Sequence, residues 1–107
     1  MRLQYTPQVI DDMKEIQSYI QHNLQNPQAA MRISKKILDT CAMLKDYPQS
    51  GASLQSKIDR ETDSRYLIFE NYLASYRVTG SVISVIRVLD GRQDYLRVLF
   101  SDSKSED

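Results

Sequence analysis

The sequence predicts an α+β domain in which a short strand and two helices precede an antiparallel sheet. Two observations support this prediction. Apolar residues recur every three or four positions in the first half of the chain, which is typical of amphipathic helices, and runs rich in β-branched and aromatic residues fill much of the second half. The expected order is β-α-α-β-β-β plus a short C-terminal element, with the helices on one face of the sheet.

The two helices are predicted from their start signals and their apolar stripes. After a strand at residues 2 to 6, Thr6-Pro7 suits a helix start, because Thr caps backbone N–H groups and Pro fits the first helical position. Asn26-Pro27 repeats this signal, and the short link between the helices predicts an antiparallel hairpin. The first stripe contains Val9, Ile10, Met13, Ile16, Tyr19, Ile20 and Leu24, and the second contains Ala30, Ile33, Ile37, Cys41 and Leu44.

The sheet follows a polar stretch at residues 48 to 64, which is predicted to be a loop. Short turns at Glu70-Asn71 and at residues 79 to 81 divide the next run into three strands, which predicts an antiparallel meander. The element after Asp90-Gly91 has apolar residues at helical spacing, although a strand is also possible. We expect one domain over residues 1 to 100 and a polar, flexible tail over residues 101 to 107.

Composition narrows the functional classes. The 14 basic and 14 acidic residues give a net charge of zero, so no global field attracts nucleic acid or anionic lipid. The single Cys41 cannot form an internal disulfide, which indicates a reducing compartment. Because the sequence shows neither a signal peptide nor a run long enough to span a membrane, we expect a cytoplasmic protein without membrane association. No metal site and no cofactor are expected.

The last predicted strand contains a charged residue where an apolar one is expected. Strict alternation places Ile83, Val85, Arg87 and Leu89 on one face, and a guanidinium there needs a carboxylate, carbonyls, a ligand or water. Pairing of Arg87 with Glu70 or Asp90 is one explanation, and binding of a partner on a sheet face without helices is the other. The predicted binding surface consists of Arg65, Arg77, Ile83, Val85, Arg87, Leu89 and Arg92.

Three motifs in this order resemble the RelE/ParE family of bacterial toxins from type II toxin–antitoxin modules. They are P48-x-x-G51, R65-Y-L-I-F-E-N-Y-L-A-S-Y76 and V85-I-R-V-L-D-G-R-Q-D94, behind a two-helix hairpin, and the resemblance spans residues 2 to about 99. It implies a small toxin that a cognate antitoxin neutralises by wrapping its surface, in a complex that is oligomeric. Members are either ribosome-dependent mRNA endoribonucleases or ParE-type proteins that poison DNA gyrase without catalysis of their own.

The residues favour the ParE side. RNA cleavage needs a base, an acid and cations for the charged phosphorane. By resemblance, Arg65 and Arg87 would supply the cations, and Tyr95 or Glu70 would transfer protons. Many relatives have a histidine after the last strand where this chain has Asp90.

We therefore expect a ParE-like, plasmid-stabilisation-type toxin that inhibits growth by poisoning gyrase. A ribosome-dependent endoribonuclease acting on mRNA remains the alternative, and an inactive antitoxin-binding module is a third possibility. For Asp90-Gly91 the sequence favours a turn over a general base, and for Tyr95 a packed aromatic over an acid.

Overall fold

The computed structural model describes residues 1–54 and 63–91, which form one mixed sheet with helices on one side. The strands are β1 (Arg2–Tyr5), β2 (Ala52–Ser53), β3 (Arg65–Phe69), β4 (Tyr72–Thr79) and β5 (Val82–Asp90), and their order across the sheet is β1-β5-β4-β3-β2. The predicted antiparallel meander is confirmed as β3-β4-β5. Two features were not expected: β1 runs parallel to β5, and β2 lies within the predicted polar loop.

Both predicted helix starts are confirmed. Helix α1 (Pro7–Ser18) is capped by the Thr6 hydroxyl, which accepts a hydrogen bond from the Val9 N–H, and α2 (Pro27–Ala42) is capped by the Asn26 side chain, which accepts from the Ala29 N–H. Past Ser18 the first helix widens into a π-helix (Tyr19–Asn23), and α2 ends in a 3₁₀ turn (Met43–Lys45). Among the described residues no helix combines the length and the apolar character that crossing a bilayer requires.

The core lies between the helical hairpin and one face of the sheet. A main cluster joins the inward stripes of both helices to β4 and β5, and a smaller cluster forms where α2 ends. Each fully buried aliphatic side chain contributes about 1.5–3 kcal/mol relative to exposure, so this face accounts for most of the fold's hydrophobic stabilisation. The main cluster includes Val9, Ile16, Ile33, Ile37, Ala74, Val85 and Val88, and the smaller one Leu44, Tyr76 and Ile83.

A β-bulge in β5 changes which residues share a face. Tyr76 of β4 pairs with Val85, but the preceding Ser75 pairs with Arg87, so Ile86 is an extra residue in β5. The bulge shifts the alternation by one position. Val88 therefore joins Val85 on the helix-covered face, whereas strict alternation places them on opposite faces.

Candidate functional site

The Arg87 side chain forms an ion pair with α1. Its Nε and Nη2 atoms each donate to one oxygen of the Asp12 carboxylate, both at 2.9 Å, and the Val88 N–H donates to Asp12 as well, also at 2.9 Å. The Asp12 side chain is only 3% exposed and that of Arg87 is 21% exposed. The carboxylate of this ion pair comes from Asp12, where the sequence pointed to Glu70 or Asp90, and the pair joins α1 to β5.

The geometry of the sheet edge explains why Asp12 lies there. Strand β1 pairs with β5 only as far as Val85, and beyond that residue no other described strand lies on this side of β5. Side chains of the α1 segment take the place of that strand: the Thr6 hydroxyl donates to the Ile86 carbonyl at 2.9 Å, and Asp12 accepts from the Val88 N–H. Buried backbone groups need such partners, so Asp12 has a structural reason for being buried.

The Arg65 guanidinium donates hydrogen bonds to the loop that precedes β2. It donates to the Gly51 carbonyl from Nη2 at 2.8 Å and from Nε at 3.1 Å, and to the Gln49 carbonyl at 3.4 Å. The buried Tyr76 hydroxyl fixes the same loop, because it accepts from the Gly51 N–H and donates to the Pro48 carbonyl, both at 2.9 Å. The motif that begins at Pro48 is therefore a loop that hydrogen bonds from β3 and β4 hold in place.

Arg77 and Glu70 both lie at the surface. Arg77 donates to Asp63 at 2.9 Å; this hydrogen bond lowers the pKa of Asp63 and raises the pKa of Arg77. Glu70 lies 3.9 Å from an Arg32 guanidinium nitrogen and has a positive φ of 52° in the turn between β3 and β4. Neither position brings a carboxylate next to the Arg65 guanidinium, which instead binds loop carbonyls.

The apolar part of the predicted surface requires a correction. Ile83 and Val85 are completely buried beneath the helices, so the face assigned to them is wrong. The bulge places Leu89 on the opposite face, where it pairs with Leu73, and both are buried, at 1% and 3% exposure. The sheet face without helices is therefore only partly exposed. On that face, Ile68 of β3 and Arg77 of β4 are exposed.

Two predicted site residues, Arg92 and Tyr95, lie outside the described residues, as does the predicted C-terminal element. Asp90 is described, and it is the last residue of β5, with an exposed fraction of 6%. Gly91 follows it, and its N–H donates to the Asn71 carbonyl at 2.8 Å. A buried carboxylate at this position was not predicted, because the Asp-Gly pair was interpreted as a turn. Recognising the bulge would have placed Asp90 on the helix-covered face.

Over the ranges 1–54 and 63–91, His, Cys, Asp and Glu side chains form no group of three that could hold a metal ion. The thiol of Cys41 is buried in the main core cluster, and this burial raises its pKa to about 11. A thiol with so high a pKa is a poor nucleophile near neutral pH. Cys41 is thus a core residue and not a reactive one.

Comparisons with known proteins give one family match and one shared fold. The family model for the ParE toxin of the type II toxin–antitoxin system, parDE, matches residues 3–95. Ten chains of solved structures match, among them one from the chromosomal ParDE toxin–antitoxin system of P. aeruginosa. That chain superposes with a TM-score of 0.71 at 24% identity, over 84% of this chain and 95% of the other, which shows a shared fold. A search of curated protein sequences found no significant match.

Proposed function

Because the chain belongs to the ParE toxin family of type II toxin–antitoxin systems, we propose that it inhibits growth by poisoning DNA gyrase and that a cognate antitoxin neutralises it. Its place of action is the cytoplasm, where gyrase and its DNA substrate are found. In this proposal the toxin acts by binding and has no nuclease chemistry of its own.

The observation that carries the choice of target is the engagement of both arginines that nuclease relatives would use. Stabilising a phosphorane requires cations whose hydrogen-bond donors point at the reacting phosphate. Arg87 instead holds a buried carboxylate in two-point contact, and Arg65 holds the carbonyls of Gly51 and Gln49. If Arg87 turned towards RNA, the Asp12 carboxylate would stay buried without its guanidinium. An unpaired buried charge of this kind strongly destabilises the folded state.

Two surface features support an antitoxin that wraps the domain. Within residues 1–54 and 63–91 the outermost strands of the sheet are β1 and β2, and an edge strand offers backbone groups to an added strand. On the face away from the helices, Ile68 is 55% exposed and Arg77 presents a half-exposed guanidinium. An acidic, partly disordered partner segment would complement this combination of an edge, an apolar side chain and a cation.

The test compares two target assays with the same purified full-length protein. We expect it to stop gyrase-catalysed supercoiling of a relaxed plasmid, and to leave mRNA intact in translating ribosomes. A topoisomerase I relaxation assay controls for nonspecific interference with DNA. Cleavage of ribosome-bound mRNA together with normal supercoiling would overturn the gyrase proposal in favour of the endoribonuclease.

A double variant tests whether the ion pair of Asp12 and Arg87 has a functional role. Asp12→Asn with Arg87→Gln removes both charges but keeps side chains of similar shape, and replacing both members of a pair costs far less than removing one. We expect this variant to remain folded by circular dichroism and to retain gyrase inhibition. Loss of gyrase inhibition in a folded variant would show that the ion pair takes part in function and would contradict a purely structural role for Arg87.

A further inference from the structure

A cavity of about 220 Å³ lies at the end of the molecule where the helical hairpin meets the ends of β4 and β5. One wall is apolar and comes from the first helix and its extension, through Ile20 and Leu24. Polar groups come from the sheet, through Asn71, Tyr72 and Asp90, and Tyr19 of the π-helix also lines the cavity. A buried site of roughly 150 Å³ already accepts benzene in a protein interior, so this space can hold an amino-acid side chain.

Three unusual backbone features surround this cavity. The π-helix supplies Tyr19 and Ile20, and π-helical turns are frequent at functional sites. Gln25, directly after Leu24, has a φ of 51°, and Glu70, directly before Asn71, has a φ of 52°. Residues with a side chain adopt positive φ at a cost of about 1–3 kcal/mol, and such strain is concentrated at functional sites. Among the described residues these are the only non-glycine residues with positive φ, and both border one cavity.

The chemistry of the walls indicates the type of ligand. On the helix-covered face of β5 the residues in sequence are Ile83, Val85, Val88 and then Asp90, so a carboxylate stands where the core pattern calls for an apolar side chain. Asp90 also has contacts within the chain. A carboxylate has about four acceptor positions, however, and can accept from an additional donor. Tyr19 and Tyr72 also line the cavity, and aromatic side chains can attract cations through their ring faces.

We propose that this cavity, hereafter the hairpin cavity, binds the side chain of an arginine that a partner protein presents. The aliphatic stem of arginine would lie along Ile20 and Leu24, and its planar guanidinium would meet Asp90 and the tyrosines in the way that guanidinium groups pair with carboxylates. A partner chain fits better than a free metabolite because the rim offers further contact area: Leu24 is 58% exposed and Asn71 is exposed. This inference goes beyond the choice of target and holds whether or not gyrase is that target.

The test uses a defined probe. The blocked tripeptide acetyl-Gly-Arg-Gly-amide is titrated into the ¹⁵N-labelled full-length protein, and the amide shifts of Leu24 and Asn71 are followed. The matched probe contains citrulline, which keeps the shape of arginine without its charge. We expect saturable binding of the arginine probe and at least about tenfold weaker binding of the citrulline probe, because hydrogen bonds between charged groups are roughly twice as strong as neutral ones.

Variants locate the binding site. Leu24→Ala removes an exposed part of the apolar wall without disturbing the core. We expect this variant to bind the arginine probe several-fold more weakly. Met43→Ala removes a similarly exposed apolar side chain outside the cavity, and we expect it to leave binding unchanged. If Asp90→Asn folds, we expect it to bind the arginine and citrulline probes with equal affinity. If Asp90→Asn does not fold, the comparison of Leu24→Ala with Met43→Ala tests the site by itself.

Several outcomes would overturn the proposal. Equal affinity for the two probes in the wild-type protein would show an apolar cavity without preference for a cation. No saturation by about 10 mM arginine probe would show that the cavity does not bind this side chain at a useful strength. Tighter binding of free arginine than of the blocked tripeptide would identify a small-molecule site and contradict a partner protein as the source.

Discussion

At the scale of single residues, the pair of Asp12 and Arg87 explains a charge that the sequence leaves unexplained. Burying a guanidinium in a central strand destabilises the fold unless the group is paired. Here it is paired with the Asp12 carboxylate, which also accepts a hydrogen bond from the Val88 N–H. The arginine thus has a structural role that a functional interpretation of the sequence would miss. Its position in a family motif does not by itself make it a ligand for phosphate.

Removing this arginine should strongly destabilise the domain. In Arg87→Ala the Asp12 carboxylate stays buried without its guanidinium, and breaking a buried pair in this way costs about 3–5 kcal/mol. Urea denaturation followed by circular dichroism would measure the loss. The control is Arg77→Ala, which removes a guanidinium from the exposed pair with Asp63 and should leave the midpoint almost unchanged. Equal midpoints for the two variants would contradict the structural role of Arg87.

Cys41 gives a prediction of pH dependence. Burial raises the pKa of its thiol from 9.0 to about 11, so the folded state keeps the proton at a pH where the unfolded chain loses it. The resulting stability is fully present below about pH 9 and is lost as the pH rises towards 11, by about 2–3 kcal/mol in total. Because lysines and tyrosines also titrate there, the informative quantity is the difference between wild type and Cys41→Ala. A constant difference from pH 8 to 11 would refute the prediction.

At the scale of elements, the loop from Pro48 to Gly51 shows how a short motif specifies local structure. Arg65 of β3 and Tyr76 of β4 bind it from two neighbouring strands, so the loop has a fixed position beside the sheet. Gly51 is required there because a Cβ atom would come within 2.5 Å of the Tyr76 hydroxyl and 2.6 Å of the Tyr66 carbonyl. The glycine of this motif is thus explained by close packing.

Gly51→Ala should therefore destabilise the domain. The added methyl group meets a backbone carbonyl and an anchored hydroxyl, and overpacking of this kind typically costs about 1–3 kcal/mol. Tyr76→Phe relieves part of the clash, so the double variant should lose less stability than the sum of the two single variants. Thermal denaturation of the three proteins would measure this coupling. Strict additivity would show that the Tyr76 hydroxyl is not what the methyl group meets.

At the scale of the whole molecule, the fold brings together residues far apart in sequence. One end of the sheet carries the hairpin cavity, and the exposed Ile68 and Arg77 lie on the face away from the helices. The net charge of zero gives no general attraction to polyanions, which agrees with a toxin that recognises proteins. Separate surfaces for the hairpin cavity and for an antitoxin would allow one small domain to contact two partners.

The sequence by itself determined the two helices, the strands β1, β3, β4 and β5, and the family. Caps at Thr6 and Asn26, apolar stripes and strand composition depend on neighbours within a few residues, so the local sequence specifies them. Motif order over most of the chain was sufficient to suggest the family that the comparison with family models supports.

Only the tertiary structure decided which side chains of β5 face the helices and where the charge of Arg87 goes. One extra residue at Ile86 shifts the alternation, and nothing in the local sequence distinguishes a bulge from a regular strand. The carboxylate that neutralises Arg87 lies 75 positions earlier in the chain, a distance over which composition and periodicity carry no information. Long-range pairing is a property of the packed chain, so the burial of Asp12 and Asp90 could be seen only once the helices lay on the sheet.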